Sequence, residues 1–226
     1  MEARAVSGVY ANRAEAGREL AAALRKRLSR RTPVLPIVVY ALPRGGVPVA
    51  AEVARALHAP LDLLIVRKIG APGQPELAVG AVAEGVQPEL VLDEESMAWT
   101  GTDARWVQDQ SRIAYAEVLR RRQAYLTGRA SPDVKGAVAI VVDDGAATGT
   151  TVRAAVQALR HREPARIVLA LPVAPAEVVE QLRTQVDEVV CLAEPVPFRA
   201  VGLHYGDFHQ VEDEEVIRAL REAERP

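Results

Sequence analysis

The chain has 226 residues, enough for one large α/β domain and short for two, and 49% of them are apolar, which supplies a sizeable core. A formal net charge of −2 gives no global pull toward nucleic acid or an anionic membrane, and a single cysteine, Cys191, excludes a disulfide framework within the chain. Met1 to Leu20 has no apolar signal-peptide core, and no stretch reaches the roughly 20 apolar residues of a membrane helix, so the expected setting is cytoplasmic.

Basic residues are nearly all arginine: Lys26, Lys68 and Lys135 are the only lysines, and Asn12 is the sole asparagine. Scarce Asn, Cys and Met suit a thermophile. A GC-rich genome gives the same Arg and Ala bias, and both readings stand.

From Asn12 to Leu28 apolar positions recur at helical spacing, with Asn12 as the cap and Glu15 three residues on. Ile37 to Leu42 is a continuous apolar run, the pattern of a strand buried on both faces. Pro43 to Gly46 is a turn and Val47 to His58 a helix with Pro48 in its first turn. Leu61 to Val66 reads as a second buried strand. Ile69 to Pro75 holds two prolines and two glycines and reads as a loop without regular structure. Leu77–Val82 and Glu89–Leu92 read as short strands around Gly85. Thr102 to Tyr125 is a long helical segment with arginines grouped at its end. Ala137 to Val142 is the third buried strand, followed by a polar turn and a helix to about Arg160. Strands over Arg166–Leu171 and Glu188–Leu192 flank a helix from about Pro175 to Arg183, and Asp213 to Ala223 is a last helix. Alternating strands and helices predict a mostly parallel sheet covered on both faces, with ligands at the carboxyl ends of its strands.

The sharpest motif is Ile140 to Thr151, IVVDDGAATGTT. Small side chains and Gly149 let backbone N–H groups approach an anion, and the helix N-terminus that follows adds partial positive charge. Asp143 and Asp144 are unsuited to phosphate. They accept hydrogen bonds from vicinal hydroxyls, or hold a divalent cation directly or through water. Phosphate on the loop and hydroxyls on the acids describe a sugar phosphate. An ordinary strand-to-helix turn with a capping Asp is the plain alternative. Leu42 to Val47, LPRGGV, follows the first strand: Arg44 offers a rigid fork to polyphosphate oxygens, and Gly45 and Gly46 expose backbone donors. Arg67 and Lys68 end the second predicted strand, where two cations can reach a polyphosphate.

The IVVDDGAATGTT segment resembles the signature with which type I phosphoribosyltransferases bind 5-phosphoribosyl-1-pyrophosphate (PRPP). The resemblance extends over most of the chain, through ANRAEAGREL, LPRGGVPVA, VRKIGAPGQPELAVGAVAEG and VGLHYGDF, to a subgroup of these proteins whose acceptor is unassigned. It implies a three-layer α/β fold in one domain over 1–226, with a helical insertion at about 94–130. A hood from the N-terminal segment, from about 194–226, or from both is also implied. It implies that Asp143 and Asp144 contact the ribose hydroxyls, with Mg²⁺ as cofactor. Gly145, Ala146, Ala147, Thr148, Gly149, Thr150 and Thr151 lie in the phosphate turn, of which Ala147 to Thr151 wrap the 5-phosphate. Arg44, Gly45 and Gly46 form a pyrophosphate loop that in the family often carries a strained peptide bond. An Arg-Lys pair like Arg67-Lys68 touches pyrophosphate in orotate and adenine enzymes. The loop after Lys68 corresponds to a mobile flap that excludes water, with Glu76 as its carboxylate.

The 6-oxopurine enzymes carry an aspartate base where this chain has Ala147, so another base, or an amine, fits better as acceptor. Phe198, His204, Tyr205, Phe208 and Tyr10 are the aromatic candidates for the hood, with Phe198 and Tyr205 expected at the acceptor. Residues 198–202 are similar to the base-stacking segment of 6-oxopurine enzymes, with Phe-to-Gly spacing one residue longer. The implied activity is phosphoribosyl transfer from PRPP to a nitrogenous acceptor, by an enzyme of nucleotide metabolism with small-molecule partners and a homodimer as an open possibility. A non-catalytic PRPP sensor or a sugar-phosphate hydrolase are the rivals. The chain has no GxxxxGK[ST] motif for a Walker-type kinase.

Overall fold

A computed structural model describes residues 10–29, 35–85 and 88–223. In chain order the elements are α1 (Arg13–Leu28), β1 (Ile37–Ala41), α2 (Gly46–Leu57), β2 (Leu61–Leu63), β3 (Val66–Ala71), β4 (Gln74–Ala83), β5 (Glu89–Leu92), α3 (Glu94–Thr100), α4 (Ala104–Leu126), β6 (Val138–Val142), α5 (Thr150–Arg160), β7 (Arg166–Val173), α6 (Ala176–Arg183), β8 (Glu188–Ala193), a 3₁₀ turn (Val201–His204) and α7 (Asp213–Ala223). They form two compact units. The first is Met1–Leu63, Ser131–Thr148 and Glu163–Pro226; the second is Leu64–Ala130 and Gly149–Arg162.

In the first unit five strands pair in the order β2-β1-β6-β7-β8, all parallel. All of β6 is buried and β7 is buried from Ile167 on, which is why these strands read as unbroken apolar runs. The strand order reverses between β1 and β6, so a crevice opens at their carboxyl ends. Helix α1 starts as its sequence predicts: the Asn12 side chain accepts from the Glu15 N–H at 3.0 Å, and Glu15 reaches back to the Ala11 N–H. Its buried face is Arg13, Ala16, Gly17, Leu20, Ala21 and Leu24, an apolar stripe that begins with a cation.

In the second unit β3, β4 and β5 form an antiparallel sheet, accompanied by α3, α4 and α5. Two expectations fail here. The run Leu61 to Val66 is not one strand: β2 ends at Leu63, buried Leu64 and Ile65 carry the chain across, and Val66 opens β3. Arg67 and Lys68 therefore start an antiparallel strand instead of ending a parallel one, and face Val82 and Ala81 in register. Nor is Ile69 to Pro75 irregular. It is the tip of a hairpin in which Ala71 pairs with Gln74 across Pro72-Gly73. Pro72 presets the first turn position and Gly73, at φ 72°, supplies the second, so residues that read as breakers form the turn itself. The segment at 94–130 is helical, as α3 and α4, capped by Asp93 and Asp103. No described helix is long and apolar enough to cross a membrane.

Candidate functional site

The turn after β1 and the acids after β6 meet in the crevice of the first unit. The Leu42 N–H donates to the Val142 carbonyl at 2.9 Å, carrying the β1–β6 ladder past the last residue of β1. Pro43-Arg44 is a cis peptide. Gly45 and Gly46 then run so close to the acids that no side chain fits. A Cβ on Gly45 would stand 2.2 Å from Asp144 Oδ2, and one on Gly46 would stand 2.8 Å from the Val142 carbonyl and 2.9 Å from Asp143 Cα. The glycines of one motif are thus shaped around the carboxylates of the other.

Asp143 and Asp144 are both half-buried. Asp143 Oδ1 accepts from the Asp144 N–H at 2.9 Å. Asp144 Oδ2 accepts from Arg13 Nε at 2.8 Å, and its carbonyl accepts from the Tyr205 hydroxyl at 2.5 Å. Burial, helped by the nearby Asp144 charge, pushes the Tyr205 hydroxyl well above its ordinary pKa, so it stays a donor. Arg13 also donates to the His209 carbonyl at 2.8 Å, and its guanidinium lies 3.8 Å from the Phe208 ring centroid. Arg13 and Asp144 border a cleft of about 420 Å³, lined also by Arg44, Gly45 and residues 208–211.

The cleft also receives the C-terminal segment. Arg44 Nη1 contacts Glu212 Oε2 at 3.4 Å and Asp213 Oδ1 at 3.3 Å. His209 is clasped by Asp207 (3.0 Å) and Glu215 (3.3 Å), which raise its pKa, Asp207 more than Glu215. Of the aromatic candidates, Tyr205 is 5% exposed and packs beside Tyr10 and Phe208, so it meets the site through its hydroxyl. Phe198 is half-buried and stacks on His204, whose pKa burial lowers. Phe208 is 37% exposed.

Further along the phosphate motif, Gly145 and Ala146 are buried and Ala147 and Thr148 exposed. The Ala146 N–H donates to the Val173 carbonyl at 3.1 Å, fixing the turn on the end of β7 and committing that donor. Thr148 closes its stretch of the first unit and precedes Gly149, which at φ 73° caps α5 in the second. There the Thr150 hydroxyl is buried and donates to Asp93 Oδ2 at 3.2 Å, while Arg153 donates to both. The Thr150 side chain is thus tied to Asp93, and its backbone is the part suited to an anion. Thr151 is half-buried. Arg67 and Lys68 are exposed on β3, and the Glu76 side chain on β4 lies outside the described residues.

Sequence reasoning missed Arg13, Glu212 and Asp213 as parts of this site. A signal for Arg13 existed, since it is the one charged residue on the buried stripe of α1. Among the described residues no three His, Cys, Asp or Glu side chains gather as a metal cage. Mg²⁺ commonly takes only one or two carboxylates and completes its shell with water and substrate oxygens, so the Asp143–Asp144 pair fits an ion that arrives with a polyphosphate.

A family model described as "Phosphoribosyl transferase domain" matches residues 7–206. "Putative phosphoribosyl transferase Rv0571c" of Mycobacterium tuberculosis (strain ATCC 25618 / H37Rv) is 44% identical over 218 residues, covering 96% of this chain and 47% of its own length. The same figures hold for "Putative phosphoribosyl transferase MT0597" of strain CDC 1551 / Oshkosh, so the chain spans about half the length of the curated relatives it matches. The crystal structure of TT1426 from Thermus thermophilus is 40% identical with a TM-score of 0.76, over 94% of this chain and 98% of that one. By its motifs, its sheet and these matches, the chain belongs to the phosphoribosyl transferase domain family.

Proposed function

We propose that this protein transfers a 5-phosphoribosyl group from PRPP to a nitrogenous acceptor, a base or an amine, and releases pyrophosphate with Mg²⁺ as cofactor. The observation that supports it best is the interlock of the two motifs at the β1–β6 crevice, where Gly45 and Gly46 leave room only for Asp144 and Asp143. In this reading the two carboxylates take the ribose hydroxyls, and residues 147–151 take the 5-phosphate through backbone N–H groups and the start of α5. Arg44 takes the pyrophosphate, for which it exchanges Glu212 and Asp213. Arg67 and Lys68 join it on the strength of their place in the sequence.

The reaction breaks the bond from the anomeric carbon to the pyrophosphate oxygen, which leaves with the electron pair. A nitrogen lone pair forms the new bond. The proton lost by that nitrogen goes to Glu76, again assigned from sequence order, or to water. Asp143 and Asp144 are the residues that would hold Mg²⁺, which would supply positive charge to the departing group. The chain's own contribution is electrostatic: Arg44 is aimed where negative charge grows, and Asp143 and Asp144 hold the sugar still. Phe208, on the rim of the cleft, is the ring best exposed to meet an acceptor. Purine bases, pyrimidine bases and small amines would be screened for pyrophosphate release from PRPP. Release with one of them that falls about 100-fold or more in Arg44→Ala is expected. Release from none of them, with PRPP bound, overturns the transferase reading in favour of a sensor.

A further inference from the structure

We propose that Arg13 is the positioning residue for Asp144, and that through it the site distinguishes ribose from deoxyribose phosphates. The inference rests on the reading of the crevice as a phosphoribosyl site and adds to it a residue from outside the two motifs.

Arg13 sits at the first turn of α1, 131 positions from Asp144, yet the side chains of the pair are only 8% and 13% exposed. Burying a guanidinium is costly unless its donors and its charge are met. Here they are met on three fronts: Nε on Asp144 Oδ2, Nη1 on the His209 carbonyl, and the plane on the Phe208 ring. Only a planar fork makes all three contacts at once. The outcome for Asp144 is a carboxylate fixed from several directions. Arg13 holds one oxygen, the Tyr205 hydroxyl holds its carbonyl, and the Gly45 backbone closes the space beside it.

Asp144 lines the cleft beside Arg44 and Gly45, so the carboxylate that Arg13 holds borders the space a sugar hydroxyl would enter. The guanidinium also supplies permanent positive charge beside two adjacent carboxylates, whose mutual repulsion would otherwise drive them apart. A fixed, charged acceptor discriminates strongly. A ligand with the matching hydroxyl donates to it, and one without forfeits that charged hydrogen bond. A loose carboxylate turns to water and discriminates little. A plain structural staple is the competing role for Arg13, tying residues 208 and 209 to α1. Such a staple would affect all sugar phosphates alike.

The test measures Kd by calorimetry for ribose 5-phosphate, 2-deoxyribose 5-phosphate and 3-deoxyribose 5-phosphate, on the full chain and on Arg13→Gln, Arg13→Lys and Asp144→Asn. The wild type is expected to prefer ribose 5-phosphate over at least one deoxy sugar by about 10- to 100-fold, the worth of one charged hydrogen bond. Arg13→Gln should compress that ratio to roughly threefold or less, and Arg13→Lys should leave it in between. Adding Arg13→Gln to Asp144→Asn should change the ratio no further, because both act through one carboxylate. Circular dichroism of each variant separates these effects from unfolding, and Arg13→Lys carries the test if Arg13→Gln does not fold. A preference kept at its wild-type value while all three sugars weaken equally overturns the role in favour of the staple. A wild type that binds none of the sugars contradicts the phosphoribosyl reading itself, and this role with it.

Discussion

Gly45 adopts φ −60°, a backbone state that alanine takes without strain, so replacing it isolates the effect of one methyl group. That methyl would stand 2.2 Å from Asp144 Oδ2, an oxygen already held by Arg13. Gly45→Ala is expected to weaken ribose 5-phosphate binding by about tenfold or more and to lower Tm, since the methyl displaces Asp144 from Arg13 and alanine is the poorer residue at a helix N-cap. Unchanged affinity would mean that Asp144 does not need its observed position. Arg44 offers the opposite change. Its contacts with Glu212 and Asp213 are surface pairs, each worth about 0.2–1 kcal/mol. Neutralising both acids, as Glu212→Gln with Asp213→Asn, should tighten pyrophosphate binding roughly two- to fivefold at low salt, and less at high salt. A weaker complex in calorimetry would instead make those acids part of the binding surface. Asp143, Asp144 and Arg44 were legible because acids and small residues in fixed order are a chemical pattern. Arg13 was not, because its partner is 131 positions away and only the folded chain joins them. The bond from the Thr150 hydroxyl to Asp93, 57 positions earlier, was hidden for the same reason.

The C-terminal segment is held by a histidine clasp with a pH dependence. Asp207 and Glu215 raise the His209 pKa above its ordinary 6.5. A raised value means the folded state favours the charged ring. The clasp is therefore complete below about 6.5 and is lost as pH rises through the higher folded value. NMR titration of the His209 ring should give a midpoint above 6.5, and hydrogen exchange over residues 207–215 should speed up across that transition at constant intrinsic rate. A midpoint at or below 6.5 would refute the clasp. In the β3–β4 hairpin the sequence reading failed for a reason of local chemistry. Pro72 and Gly73 end regular structure within a strand, yet they are what a two-residue turn requires. The Leu61 to Val66 run failed for another reason: apolar continuity shows burial, and does not say that one sheet does the burying. The helices and the parallel strands were legible to within a few residues, because caps such as Asn12 and all-apolar runs such as β6 are decided locally.

Each unit has its own stability signature. In the first, Ile140 at the middle of β6 is fully buried, and Ile140→Ala should cost about 2–5 kcal/mol in denaturant unfolding. In the second, the Glu84 side chain is 4% exposed and pairs with Arg122 (2.9 Å) and Arg162 (3.3 Å), which reach solvent. Removing both arginines strands a buried carboxylate and should cost about 3–5 kcal/mol, more than Glu84→Gln, which leaves only solvated cations. The reverse order would show that the arginines contribute little. The parallel sheet with its crevice at the β1–β6 reversal was expected from alternating strands and helices, and it is what brings two motifs distant in sequence to one place. Phosphoribosyl transfer requires that place to bind PRPP. Calorimetric titration of PRPP with and without Mg²⁺, into the wild type and into Asp143→Asn/Asp144→Asn, tests it most directly. Saturable binding that Mg²⁺ strengthens and the double variant abolishes is the predicted result; no binding by the wild type, or equal binding by the variant, would contradict it.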